Sequence, residues 1–204
     1  MASALGLVRV ARHDVQDETA MEYLEKIEDS AAHLDVLVSN IIDFYKNSRE
    51  QSSVEELEFE PLIEDVIESV QSHLGTDDAL IDAKIDQQNR FKADVFRLRV
   101  ILSNLISNAI KFQKDDQEKV RVNIEITSDL NEAHIKVQDD GVGIIQEHMN
   151  RIFEIFFKGN NPQSGSGIGL YIVKEALEKM DGTIEVESKM GEGTLFSIKI
   201  PNQI

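Results

Sequence analysis

Glycines at alternate positions divide the second half of this chain. Asp139-Asp140-Gly141-Val142-Gly143-Ile144 follows an apolar run, and Gly165-Ser166-Gly167-Ile168-Gly169-Leu170 precedes a periodic one. Glycine tolerates backbone conformations and close approaches that other residues resist, so neither helix nor strand is expected to run through these segments. Regular elements must stop on either side and meet around the two loops. The first loop is not the dinucleotide fingerprint, because Gln146 stands where its third glycine belongs. The second is not a Walker A loop, since no Gly-Lys-Ser/Thr follows. Each admits an ordinary explanation: a Gly/Asp turn for the first, a flexible loop and helix start for the second. Each also has a chemical one. A carboxylate at a strand end can accept from an exocyclic amine. Glycines at a helix N-terminus expose amides to an anion, and the helix dipole adds attraction.

The elements around these loops suggest an α+β protein. Residues 61–73 and 94–113 are expected to be helical, Pro61 falling in the first turn. Strands are expected near 80–86, 90–92, 119–128 and 132–138, then a helix near 168–180 and a closing hairpin, 183–188 with 194–200. Helices mixed with hairpin-linked strands point to a two-layer α/β sandwich. Upstream, Leu24, Ile27, Ala31, Leu34, Val38, Ile41 and Tyr45 recur at spacings of three and four. That is a heptad seam on one helix, 19–46. A shorter apolar-periodic piece before it makes a helical hairpin with unequal arms, turning at His13 to Asp17. The seam is expected to be covered by a second copy in a dimeric four-helix bundle, or else by the second domain. Asn47 to Val54 is expected to be a linker, so the domains are 1–50 and 51–204.

Composition narrows the chemistry. The formal charge is −17, and residues 51–93 hold eleven Asp/Glu against three Lys/Arg, which argues against nucleic-acid binding. The 204 residues include no cysteine, so disulfides and thiolate metal sites are excluded. No apolar run nears the roughly 20 residues needed to cross a bilayer. The expectation is a soluble, cytoplasmic part, with any membrane attachment carried by upstream segments. An acidic protein that binds a polyanion must compensate locally, through amides, a few lysines or a divalent ion.

On helix 94–113, Asn104, Asn108 and Lys111 sit at i, i+4 and i+7 and share a face. Carboxamide oxygen can ligate Mg²⁺, lysine can reach phosphate, and the nearby Phe112 ring can lie against a base. A wet face on an amphipathic helix explains the same pattern. The order of the motifs is more specific than any one of them. Asn104-Leu-Ile-Ser-Asn108-Ala-Ile-Lys111-Phe112 resembles the N box of sensor histidine kinases. The Asp139–Ile144 run resembles their G1 box, Ile152-Phe153-Glu154-Ile155-Phe156-Phe157 their F box, Gly165–Leu170 their G2 box, and Gly191-Glu-Gly193-Thr194-Leu-Phe196 their last glycine box. The N-terminal hairpin resembles the dimerisation and histidine-phosphotransfer domain that precedes this module.

That resemblance implies an ATP-binding catalytic domain of the GHKL type, which transfers the γ-phosphoryl group of ATP to a histidine and thence to a response-regulator aspartate. It implies ATP and Mg²⁺ as cofactors, and a homodimer and a response-regulator receiver domain as partners. Asn108 would ligate Mg²⁺, with Asn104 nearby. Lys111 would contact phosphate, Phe112 would pack beside adenine, and Asp139 would read its amino group. Gly141, Gly143 and Ile144 would shape the base pocket. Lys158 stands where a lid arginine can reach the γ-phosphate. Gly165, Gly167, Gly169 and Leu170 would cradle the phosphates at the end of a lid spanning 158–166, and Thr194 would lie near the base. The F box departs from the family in having Ile155 where proline is usual. Related ATPases place a general-base Glu four residues before the metal-binding Asn. Asn104 holds that position here and cannot take a proton from water.

The acceptor is the unplaced group. His13-Asp14 has the acid that follows the family's phosphoacceptor, yet it falls in the expected turn. Residues 2–7 resemble what normally follows the acceptor, so the acceptor itself is expected upstream of Met1. His33, His73, His134 and His148 are not at acceptor positions. A noncatalytic nucleotide-binding or dimerisation module is the alternative reading.

Overall fold

The computed structural model describes residues 54–75, 79–159 and 166–203, and eleven scattered positions between Gly6 and Ile27. The chain divides into two compact units, 1–46 and 47–204. In the first, Asp17 accepts the Ala20 N–H at 2.8 Å, and Thr19–Met21, Tyr23, Leu24 and Ile27 are helical. A short acidic side chain capping the third residue of a helix satisfies an otherwise orphan donor. Gly6, Val10 and Ala11 are helical as well, while His13, His33 and the seam from Ala31 to Tyr45 lie outside the described residues.

The second unit runs β1 (Val54–Leu57), α1 (Phe59–Leu74), β2 (Ala79–Gln87), β3 (Phe91–Asp94), α2 (Val95–Lys111), β4 (Val120–Ser128) and β5 (Glu132–Asp139). A single 3₁₀ turn (Gln146–His148), α3 (Gly169–Lys179), β6 (Thr183–Lys189) and β7 (Gly193–Pro201) complete it. Five strands form a mixed sheet in the order β2-β4-β5-β7-β6; β2 is parallel to β4 and the other neighbours are antiparallel. β1 and β3 pair separately as an antiparallel ribbon.

Strand alternation sets the layers. Val120, Val122, Ile124 and Ile126 of β4 are buried, as are Ala133, Ile135 and Val137 of β5 and Phe196, Ile198 and Ile200 of β7. Successive side chains of a strand point to opposite faces, so these build one apolar face. α1, α2 and α3 cover it, with α2 against both neighbours. The opposite face carries Asp82, Lys84, Asn123, Glu125 and Gln138 around a shallow polar depression. This is a two-layer sandwich with one wet face.

α2 starts directly from β3. Asp94 ends the strand and caps the helix, accepting the Arg97 N–H at 2.9 Å. Its carboxylate also pairs with the Arg97 guanidinium, and the two residues are 2% and 4% exposed. A buried charge pair that also caps a helix is costly to break from either side. Phe59 and Phe91 are fully buried with ring centroids 5.4 Å apart; each contributes roughly 1.5–3 kcal/mol by leaving water.

The segment expected to be a linker ends in a strand. Val54–Leu57 pairs residue for residue with Asp94–Phe91. α1 begins at Phe59, two residues before Pro61, which still falls in the first turn, where no intrahelical amide bond is lost.

Candidate functional site

α2 presents Asn104, Asn108 and Lys111 along one face, the last two within its final turn. Asn104 folds back on its own helix, its Nδ2 donating to the Val100 carbonyl at 2.8 Å. That fixes its Oδ1 outward, toward Gly169, the first residue of α3. A Cβ on Gly169 would stand 2.7 Å from this oxygen, so the glycine makes room for the asparagine. Among the described residues, the N-terminus of α3 has no side-chain cap, and its first turn, whose amides have no intrahelical acceptor, lies beside the α2 face. The Asn108 carboxamide makes no hydrogen bond to any described residue. The Lys111 ammonium is held below the ordinary lysine range by loss of hydration, although the residue as a whole is exposed.

Phe112 caps the C-terminus of α2, its N–H bonded to the Asn108 carbonyl at 3.0 Å. Its ring is partly exposed, and its carbonyl accepts the Val142 N–H at 2.9 Å. The loop after β5 is thereby sewn to the end of α2. Gly141 permits this, because a Cβ there would lie 2.4 Å from the Phe112 carbonyl oxygen. At Gly143 φ is +72°, and a Cβ would meet the Lys189 carbonyl at 2.2 Å. Both glycines are thus required by protein backbone packed against them. The Ile144 N–H donates to Ser188 Oγ at 2.8 Å.

Asp139 ends β5. Its Oδ1 accepts two amides, Gly141 at 2.9 Å and Thr194 at 3.2 Å, while Oδ2 has no hydrogen bond from a described residue. Burial pushes this carboxyl up to about 6, against the opposing pull of the two amides. Neighbouring Asp140 adds to the rise. The result is a carboxylate with one oxygen fixed by the fold and the other left as a strong acceptor.

The aromatic segment lies between the two glycine loops. Phe157 meets the His148 ring edge-on at 5.3 Å, and the Arg151 guanidinium stands 4.6 Å over its face. Phe156 takes φ +64° and is 63% exposed, a conformation that costs a non-glycine residue energy. Its N–H donates to the Gly167 carbonyl at 2.8 Å. Gly167 itself has φ +72°, with a would-be Cβ 2.8 Å from the Phe157 carbonyl oxygen. Lys158 is exposed, Leu170 partly buried on α3. Gly165 and the rest of 160–165 lie outside the described residues.

The structure therefore gathers Asn104 with Gly169, Phe112 with Gly141, and Asp139 with Gly141 and Thr194. Among the described residues, no histidine hydrogen-bonds to any of these groups. His134 pairs with Glu132 at 2.6 Å, five residues before Asp139 and roughly 17 Å along the same strand. Two supporting groups escaped the sequence reading. Asp140 clamps the loop, its Oδ1 accepting Gln117 Nε2 at 2.7 Å and the Arg121 N–H at 2.8 Å. Ser188 ties Ile144 to β7. One signal could have found it: Ser188 shares a face of β6 with Ile184 and Val186, so a hydroxyl stands where alternation calls for an apolar side chain.

The donor set suits a nucleotide with a hard divalent ion. No group of three or more His, Cys, Asp or Glu able to hold a metal exists among the described residues. Mg²⁺ needs few protein oxygens when phosphates and water supply most of its octahedron, and a neutral carboxamide oxygen can be one of them. Among the described residues, no helix is long and apolar enough to cross a membrane.

Comparison with known proteins identifies the family. Residues 93–204 match the model of the "Histidine kinase-, DNA gyrase B-, and HSP90-like ATPase" family. The sensor histidine kinase AtsR of Burkholderia thailandensis is 27% identical over 206 residues, covering 98% of this chain and 34% of AtsR. The aerobic respiration control sensor protein ArcB of Escherichia coli is 31% identical over 208 residues, covering 96% of this chain and 26% of ArcB. The chain thus spans about a third or less of these relatives' length. Among solved structures, full-length ShkA in complex with AMPPNP superposes with a TM-score of 0.72 at 25% identity, covering 98% of this chain and 43% of ShkA. The chain belongs to the family of histidine kinase-, DNA gyrase B- and HSP90-like ATPases, and within it to the histidine kinases.

Proposed function

We propose that residues 51–204 are the ATP-binding catalytic domain of a two-component sensor histidine kinase, and that residues 1–50 dimerise it. The observation that carries this reading is the junction of Asn104 with Gly169. It sets the carboxamide face of α2 against the open N-terminus of α3, a site for a chelated polyphosphate. The adenine end lies at Asp139, whose free Oδ2 accepts from the 6-amino group, with Phe112, Gly141, Gly143, Ile144 and Thr194 around the base. Asn108 is the magnesium ligand, and Asn104 lies beside it. Lys111 and Lys158 neutralise phosphate charge, and Gly165, Gly167, Gly169 and Leu170 hold the phosphates at the lid's end. Held by Asn108, a Mg²⁺ ion would supply positive charge to the phosphates.

Asn104 has no basic lone pair to activate water, so the site favours transfer to a positioned nucleophile over hydrolysis. That nucleophile is a histidine, followed by the aspartate of a receiver domain. The test supplies labelled ATP, Mg²⁺ and, separately, a histidine-bearing acceptor domain. Transfer of acid-labile label to the acceptor, with none stable on this chain, is the expected result. ATP binding without any transfer, across acceptors of several kinases, would make the chain a binding module and overturn the proposal.

A further inference from the structure

Beyond β7, two residues reach back to the strand that starts α2. The Asn202 carboxamide joins three segments. Its Oδ1 accepts the Lys92 N–H at 2.9 Å, and its Nδ2 donates to the Leu130 carbonyl at 3.0 Å and the Arg90 carbonyl at 3.4 Å. The Gln203 N–H donates to the Lys92 carbonyl at 2.9 Å. Both backbone groups of Lys92, inside β3, are thus taken by residues 202 and 203. The partner strand is fixed in the same manner from the end of β2. Gln87 Oε1 accepts the Phe59 N–H at 2.9 Å, and Gln87 Nε2 donates to the Leu57 carbonyl at 3.0 Å. Among the described residues, the β1–β3 ribbon shares no ladder with the five-stranded sheet. Two side-chain carboxamides tie it there instead.

The ribbon fixes one end of α2, because β3 passes into the helix through its cap, Asp94. The helix has 17 residues and is about 25 Å long. Asn108 and Lys111 stand in its last turn. Apolar side chains hold α2 sideways against its neighbours, yet packed helices still slide along one another by small shear. The axial position of α2 is therefore set at its ends. Its junction with α3 is sensitive to that position, since Asn104 Oδ1 leaves no room for even a Cβ at Gly169. We infer that Asn202 is a positioning residue for nucleotide binding: by anchoring β3 to the sheet, it sets the axial position of α2 and so the place at which Asn108 meets a metal-chelated polyphosphate. The inference rests on Asn108 being the magnesium ligand. It gives a role in binding to a residue outside every motif of the site.

The test titrates ATP into the full chain by calorimetry, once with Mg²⁺ and once with excess chelator, well below the thermal midpoint of each variant. The ratio of the two affinities is the gain from the metal. In Asn202→Ala that gain falls about fivefold, the size of effect expected of a coupled residue remote from the ligand, while the affinity in chelator stays within twofold or so of the unaltered chain's. In an Asn108→Ala background, where the metal ligand is already gone, adding Asn202→Ala lowers neither affinity further. A merely structural asparagine would lower the thermal midpoint and leave the gain unchanged, and that result overturns the inference. Equal losses with Mg²⁺ and with chelator overturn it too, as does an additive loss in the double variant. Should Asn202→Ala not fold, Gln87→Ala decides, because it loosens the other strand of the same ribbon: a reduced gain upholds the inference and an unchanged gain overturns it. No gain from Mg²⁺ in the unaltered chain would overturn the assignment of Asn108, and this inference with it.

Discussion

Asp139 stands under two opposing demands. As a half-buried carboxylate it weakens the fold; as an acceptor it must be charged. Its carboxyl is raised to about 6 from 3.8. The folded state therefore binds this proton more tightly than the unfolded chain does. The group's relative stabilisation is complete below about pH 3.8 and is lost as pH rises to about 6, leaving a penalty of about 3 kcal/mol at neutral pH. Asp139→Asn is expected to raise the thermal midpoint at pH 7.5. That gain should shrink between pH 6 and 4, because the native carboxyl is then neutral too. The same variant should bind ATP at least tenfold more weakly, since its amide presents a donor to a donor. A variant neither more stable nor poorer at binding would contradict the assignment. Asn108 makes a separate prediction. Titration of ATP into Asn108→Ala should give the same affinity with Mg²⁺ as with excess chelator, whereas the unaltered chain gains affinity from the metal.

The elements are held apart and together by glycines that do unequal work. Gly75 caps α1 at φ +64° with no atom near a would-be Cβ. Gly75→Ala should cost only the left-handed conformation, about 1 kcal/mol. Gly143→Ala adds a 2.2 Å collision with the Lys189 carbonyl and should cost more than about 3 kcal/mol in urea denaturation. Equal losses would show that the contact with the β6–β7 turn is not rigid. Those two costs cannot be separated from the sequence, where both residues are simply glycine. The α2 helix was legible because its apolar period is strong and Asp94 caps it. β1 was not: Val54-Glu-Glu-Leu57 has no alternation, and its strand conformation comes from pairing with Phe91–Asp94, more than thirty residues away. The motifs told which residues of the site matter. They could not tell that Gly141 faces the Phe112 carbonyl, or that Ser188 joins two loops, since both depend on backbone brought together from distant sequence.

Across the whole molecule, the site draws on residues from Asn104 to Thr194, so no fragment that divides this span should bind nucleotide in isolation. β7 lies between β5 and β6, and it holds Thr194 and the buried Phe196, Ile198 and Ile200. A chain ending at Glu192 should lose cooperative unfolding and ATP binding together, as followed by circular dichroism and titration; binding by the shortened chain would show that the site does not need the closed sheet. The place of β7 also bears on synthesis. The last strand of this domain to be made is an interior one. While residues up to Glu192 are leaving the ribosome, β5 and β6 each offer an unpaired edge across the gap that β7 will fill. The nascent domain should remain chaperone-bound and unable to take up ATP until that strand emerges, so that competence for the nucleotide arrives at once, with the completion of β7.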